Sequence, residues 1–240
     1  ACTEDADCAD PALPRCIDGA CAAACNDNAQ CARFPDTLVC HLDSGACVQC
    51  TPESNACPFT GDAPNTCDNA NVTQYVCDPV TLTCTNELRD CLGECEPCAY
   101  DQACIDGSYC VPMTYKGAAL GQAFCLKAKV GDSCDATPYF AERGEPESIE
   151  GFAATFCGPE QATTCSAING LNAPCSGDNE AGHAECGFPG VEDSYCQNLV
   201  GTQFRCTPFC TDNLSCEGTR TCDNVPGPGP DACELTEPPP

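Results

Sequence analysis

The sequence predicts a small disulfide-rich fold, mostly irregular and β, laid out as a tandem array of short hairpin-containing modules with little helix. Three observations predict it. Thirty of the 240 residues are cysteine, above the roughly 8–10% that marks a disulfide scaffold. Large side chains are scarce, with no Trp, one Met, nine Phe and six Tyr. The cysteines also recur in sets of four at similar spacings, as an array of small repeated units requires.

A chain of this length with so few large side chains cannot bury one large core, and small domains in that position are held by cross-links. A bridge closing a short loop contributes about 2–4 kcal/mol, chiefly by restricting the unfolded chain. A reducing cytosol would keep such thiols open, so the chain is expected outside the cell. Ala1 is read as the residue left by a signal peptidase. A lipoprotein would begin on the lipidated cysteine itself, so no lipid anchor is expected. No run of roughly 18 apolar residues occurs, and no membrane insertion is expected. The net charge is −27. Phosphate binding needs a basic face, so nucleic acid is not an expected partner.

The first module is Cys2, Cys8, Cys16 and Cys21, and the second is Cys25, Cys31, Cys40 and Cys47. A third runs through Cys50, Cys57, Cys77 and Cys84, interrupted by an insertion carrying Cys67. There Tyr75-Val76-Cys77 matches Leu38-Val39-Cys40. A fourth is Cys98, Cys104, Cys110 and Cys125, and the last is Cys210, Cys216, Cys222 and Cys233. The expected divisions are 1–50 (two repeats), 50–98 (the interrupted repeat), 98–125 (one repeat), 126–206 (a longer-spaced disulfide-stabilised region) and 206–240 (a repeat with a Pro-rich tail).

Within a module the residues between the first two cysteines are turn-formers, such as Thr3-Glu4-Asp5-Ala6-Asp7 and Asn26-Asp27-Asn28-Ala29-Gln30. Asp and Asn fold such loops through their own side-chain hydrogen bonds. Asp18-Gly19 and Ser44-Gly45, set between short apolar runs, suggest a hairpin. Each unit is pictured as a loop bridged onto a two-stranded hairpin. Pairing first to third and second to fourth would do this, but four cysteines allow three pairings. From 126 to 206 the cysteines are sparser. A weak strand is expected over Ala123–Val130, an exposed charged loop over Glu142–Ser148, and a local core of Tyr139, Phe140, Phe152 and Phe156.

The segment Cys2, Asp5, Asp7, Cys8 resembles a C-x2-D-x-D-C repeat of secreted and surface proteins of Gram-negative bacteria. The stretch from Phe204 through Cys210 and Asp212 to Cys216 and Cys222 is similar. The resemblance covers about half the chain, at both ends; Asn stands for Asp at several positions and the middle does not match. It implies an extracellular location and bridging, and no catalytic residue or specific ligand.

Catalytic constellations are not found in the pattern. There are two histidines, His41 and His183. Gly131-Asp132-Ser133 is similar to a lipase nucleophile block but lacks a downstream Asp-x-x-His, and a serine needs an oriented base. The C-x-x-C pairs Cys47/Cys50 and Cys95/Cys98 read as module boundaries whose members bridge elsewhere, rather than as zinc or redox sites. No cofactor is expected except calcium, for which Glu4, Asp5 and Asp7, or Asp178 and Glu180, supply oxygen ligands. Asn71 and Asn213 are formal glycosylation acceptors. Arg15 and Arg205 are candidate P1 residues of a protease inhibitor. A chain of rigid bridged modules, with ends that neighbouring subunits could hold in order, is expected to be a non-enzymatic extracellular fibre subunit that pairs with copies of itself. The alternative is a monomeric binding module: an adhesin, a receptor-like stalk or an inhibitor.

Overall fold

A computed structural model describes residues 1–54, 57, 75–131, 134, 140–159, 164–171, 173–177, 180–181, 183–191, 193–200, 203–210, 220–223 and 232–235. The fold is disulfide-rich and strand-based. Its two compact units, 1–91 and 92–240, are taken in turn.

The first unit is three hairpins in series. They are β1 (Arg15–Ile17) with β2 (Ala20–Ala22), β3 (Val39–His41) with β4 (Ala46–Val48), and β5 (Tyr75–Cys77) with β6 (Cys84–Leu88). Asp18 and Gly19 make the first turn with φ of 53° and 80°, the paired left-handed conformation that matches strand twist in a two-residue hairpin. In every hairpin the third and fourth cysteines of the module stand directly opposite: Cys16 and Cys21, Cys40 and Cys47, Cys77 and Cys84. Opposed residues share a face of the ladder, so both sulfurs point the same way, toward the loop of the first two cysteines. The bridges are Cys2–Cys16 with Cys8–Cys21, Cys25–Cys40 with Cys31–Cys47, and Cys50–Cys77 with Cys57–Cys84. Of the three pairings the sequence allows, all three modules take first to third and second to fourth.

The second unit begins with β7 (Pro97–Cys98), β8 (Ser108–Tyr115), β9 (Ala118–Ala128), β10 (Phe140–Glu142) and β11 (Phe156–Pro159), joined in one antiparallel sheet. Cys110 faces Cys125 across the β8–β9 hairpin, and Cys98–Cys110 with Cys104–Cys125 repeat the same interlock. The expected strand over Ala123–Val130 begins earlier, at Ala118, and a division at 125/126 cuts through it. Val111, Met113, Tyr115, Leu120, Phe124, Leu126 and Phe156 form the largest core. Of the expected aromatic cluster, Phe156 is buried. Phe152 is exposed and lies flat on Tyr109, with ring centroids 3.9 Å apart. Tyr139 and the Phe140 side chain lie outside the described residues. Cys134–Cys157 and Cys95–Cys165 add bridges outside the four-cysteine sets.

Helix α1 (Cys165–Asn169) is the one α-helix among the described residues, beside single 3-10 turns at Asp5–Asp7, Asn28–Cys31 and Asp101–Ala103. Thr164 caps its start by accepting from the Ala167 N–H. β12 (Glu180–Ala181), β13 (Ser194–Val200) and β14 (Gln203–Pro208) form a three-stranded sheet, and β15 (Arg220–Asp223) pairs with β16 (Ala232–Leu235). Cys196 opposes Cys206, and Cys175–Cys196 with Cys186–Cys206 are bridged. The region expected to interrupt the array thus contains a further interlocked module. Cys222 opposes Cys233 in the last hairpin. No free thiol occurs among the described residues.

Candidate binding groove

Two hydrogen bonds recur from module to module and explain the polar loop. The residue three places after the first cysteine accepts from the N–H of the third cysteine. Asp5 takes Cys16 at 2.8 Å, Asn28 takes Cys40 at 2.9 Å, and Asp101 takes Cys110 at 3.0 Å. The first cysteine in turn donates its N–H to the carbonyl two places before the fourth: Cys2 to Gly19, Cys25 to Gly45, Cys50 to Leu82 and Cys175 to Phe204. The second aspartate of the first loop folds the loop itself, since Asp7 accepts from the N–H groups of Thr3 and Glu4. Gln30 does the same for Asn26.

These contacts assign the carboxylates proposed for calcium. One oxygen of Asp5 is held by Cys16 and the other lies 2.8 Å from Arg15 Nε. The Asp7 carboxylate is drawn below the usual range by the backbone and hydroxyl of Thr3 and the backbone of Glu4. The oxygens therefore serve the loop and do not converge on an open point. Asp178 and the Glu180 side chain lie outside the described residues, as do Asn71, Asn213, Cys216, Asp132 and Ser133. Sulfur atoms cluster within each module, for example Cys2, Cys8 and Cys21, but they are disulfide sulfurs without the thiolate that binds metal. Cys47 bridges Cys31 and Cys50 bridges Cys77, while Cys95 bridges Cys165 and Cys98 bridges Cys110, so each C-x-x-C is a boundary.

Neither arginine lies on a protruding loop. Arg15 sits in β1, ion-paired to Asp5, and Arg205 sits in β14 opposite Gln197. His41 Nδ1 is 2.8 Å from Ser44 Oγ within a hairpin turn. His183 Nδ1 accepts from the Glu185 N–H.

The most developed site is one that the sequence pattern marks as an exposed loop. Arg143, Glu145 and Ser148 are buried. Arg143 reaches Glu145 with Nε at 3.0 Å and Nη2 at 2.8 Å, a two-pronged contact. Its Nη1 donates to the Pro159 carbonyl at 2.8 Å, and Nη2 also donates to the Thr114 carbonyl. Glu145 accepts from the Thr114 N–H at 3.0 Å and from its hydroxyl at 2.7 Å. The pair therefore satisfies both backbone groups of Thr114 on the outer edge of β8, where a further strand would otherwise bond. Burial pushes the Glu145 carboxyl up, but the hydrogen bonds from Arg143 and Thr114 outweigh it and hold the pKa at about 2.

Beside this pair runs an apolar groove of about 480 Å³. One wall is the loop Gly144 to Glu147 with Ile149; the other is β8 at Pro112, Met113 and Thr114 and β9 at Ala119 and Gly121 to Ala123. A bulge shapes the β9 wall: Pro112 faces Ala123 whereas Thr114 faces Ala119, so Leu120–Gln122 oppose Met113 alone. Leu120 turns into the core while Gly121 and Gln122 stay at the surface. A smaller depression next to it includes Lys116 and Arg143.

No protein-family model matches the chain, and neither a curated protein nor a solved structure matches it.

Proposed function

We propose that this chain is a secreted extracellular structural protein, without a catalytic role, whose disulfide-stapled modules self-associate into a filament or surface appendage. One observation carries the reading. Each hairpin of the first unit exposes an apolar side chain at or beside its turn: Ile17 at 44%, Leu42 at 71% and Val80 at 87% of full exposure. Single exposed apolar residues are ordinary; one recurring after the third cysteine in three modules out of three fits a repeated contact. The bridges fit an oxidising extracellular environment. No helix among the described residues is long and apolar enough to cross a membrane.

The test is sedimentation and electron microscopy of native material, with bridges intact and then reduced. Concentration-dependent assemblies are expected, and they are lost in a variant carrying Ile17→Ser, Leu42→Ser and Val80→Ser with its bridges unchanged. A chain that stays monomeric at every concentration overturns the reading. The apolar groove favours a second reading, a binding module.

A further inference from the structure

We propose that the groove between the β9 bulge and the loop from Gly144 to Ile149 binds a small organic ammonium ion with an apolar body. Its hydrocarbon lies on Pro112, Ala119 and Ile149, and its charge lies at Glu147. This inference rests on the binding-module reading and names the ligand class for it.

The size is that of a small-molecule site, typically 300–1,000 Å³, and the lining is mostly apolar. Two carboxylates line it, and they are not equivalent. Glu145 spends its oxygens on Arg143 and Thr114, so its charge is balanced locally. Glu147 is exposed, its charge has no such counterpart in the groove lining, and no Lys, Arg or His lines the groove. Lys116 belongs to the adjoining depression and lies 5.0 Å from the centre of the Tyr115 ring. A net charge of −27 adds a field of the same sign. An anion would meet repulsion from Glu147, and a neutral ligand would gain the apolar contact alone.

The loop is also preformed. The Arg143–Glu145 pair fixes its start on Thr114. Its far end is a tight turn in which the Ser148 N–H bonds to the Phe152 carbonyl at 2.9 Å, and the Phe152 N–H bonds to Ser148 Oγ at 3.0 Å. Ile149 donates its N–H to the Cys110 carbonyl at 2.8 Å, pinning the wall to β8. A preformed wall lowers the ordering cost of binding.

Met113 is the chain's only methionine, so a ¹³C-methyl methionine label gives one resonance, from a side chain buried in the core at the groove lining. The full-length protein is titrated at low salt with three probes of one shape: 4-phenylbutylammonium, 4-phenylbutanol and 4-phenylbutanoate. The expected order is ammonium, then alcohol, then carboxylate. An exposed charge contact corresponds to about a threefold preference of the first over the second, which fades as salt is added. Glu147→Gln should equalise ammonium and alcohol while leaving the alcohol bound. Ala119→Trp, at an exposed strand position lining the groove, should abolish all three titrations. Equal binding of alcohol and ammonium to the native chain overturns the ammonium assignment and leaves the binding-module reading standing. No movement of the Met113 methyl or of the Gly121 and Gln122 amide signals with any probe overturns both.

Discussion

Glu145 shows what a buried acid in this chain depends on. Its folded pKa, about 2, lies below the ordinary 4.5, so its contribution is fully present above about pH 4.5 and is lost as pH falls toward 2. The difference corresponds to about 3 kcal/mol. Asp101 and Asp193 run the other way. Burial raises both against the hydrogen bonds they accept, from Ser148 and Cys110 for Asp101 and from Thr164 and Phe188 for Asp193. Their contribution is therefore present at low pH and lost as pH rises through their raised values. Urea unfolding from pH 7 to pH 2 should show an acid-side loss that is smaller in Glu145→Gln. Glu145→Ala, which strands the Arg143 charge, should cost about 3–5 kcal/mol at neutral pH. Asp5 makes a second case. Asp5→Ala removes the acceptor of the Cys16 N–H and should cost about 1.5–3 kcal/mol. Asp5→Asn should stay close to native, because Asn28 already does that work in the second module; equal losses in the two variants would contradict the role given to Asp5. The acidic loop was legible as a fold-directing turn. Glu145 was not, because Glu142–Ser148 reads as a solvated stretch and its partner Thr114 is 31 residues away.

At the scale of the element, the hairpins are set by their turns. Gly45 and Gly19 both have positive φ, but their surroundings differ. A Cβ on Gly45 would sit 2.6 Å from the Ala23 carbonyl oxygen, whereas on Gly19 its nearest neighbour is 3.9 Å away. Gly19→Ala should therefore cost about 1 kcal/mol, the left-handed strain alone. Gly45→Ala should cost clearly more and lower the yield of correctly bridged protein after refolding, read by chromatography of the oxidised product. The hairpins around Asp18-Gly19 and Ser44-Gly45 were visible because turn chemistry is local. The module of Cys175, Cys186, Cys196 and Cys206 was not, because its longer intervals hide the repeat in spacing and show it only in register. Peptide mapping without reduction should return Cys175–Cys196 and Cys186–Cys206. Any bridge between Cys196 and Cys206 would contradict the interlock.

For the whole molecule, cross-linking stands in for most of a core. Cysteines make up the clusters at the centres of the individual modules, and one larger apolar cluster lies in the second unit. Composition made the reliance on cross-links legible, but the scarce large side chains were not expected to bury a large core, and of the aromatic cluster expected there only Phe156, among the described residues, belongs to the one that forms. Why the larger core lies where it does was not legible. It follows from β9 bonding β8 on one side and β7 and β11 on the other, and the pairings with β7 and β11 join residues far apart in sequence.

The interlock also fixes how the chain answers a pull. Tension entering at Cys2 crosses the bridge to Cys16 and then has only the five residues to Cys21 to straighten. In the third module it crosses from Cys50 to Cys77, and the whole segment between them is bypassed. At about 3.5 Å per residue, a stretched module lengthens by a few nanometres at most and then stops on covalent bonds. Reduced, the same module would pay out every residue it holds. The redox potential around it thus decides whether such a chain behaves as a cord or as elastic.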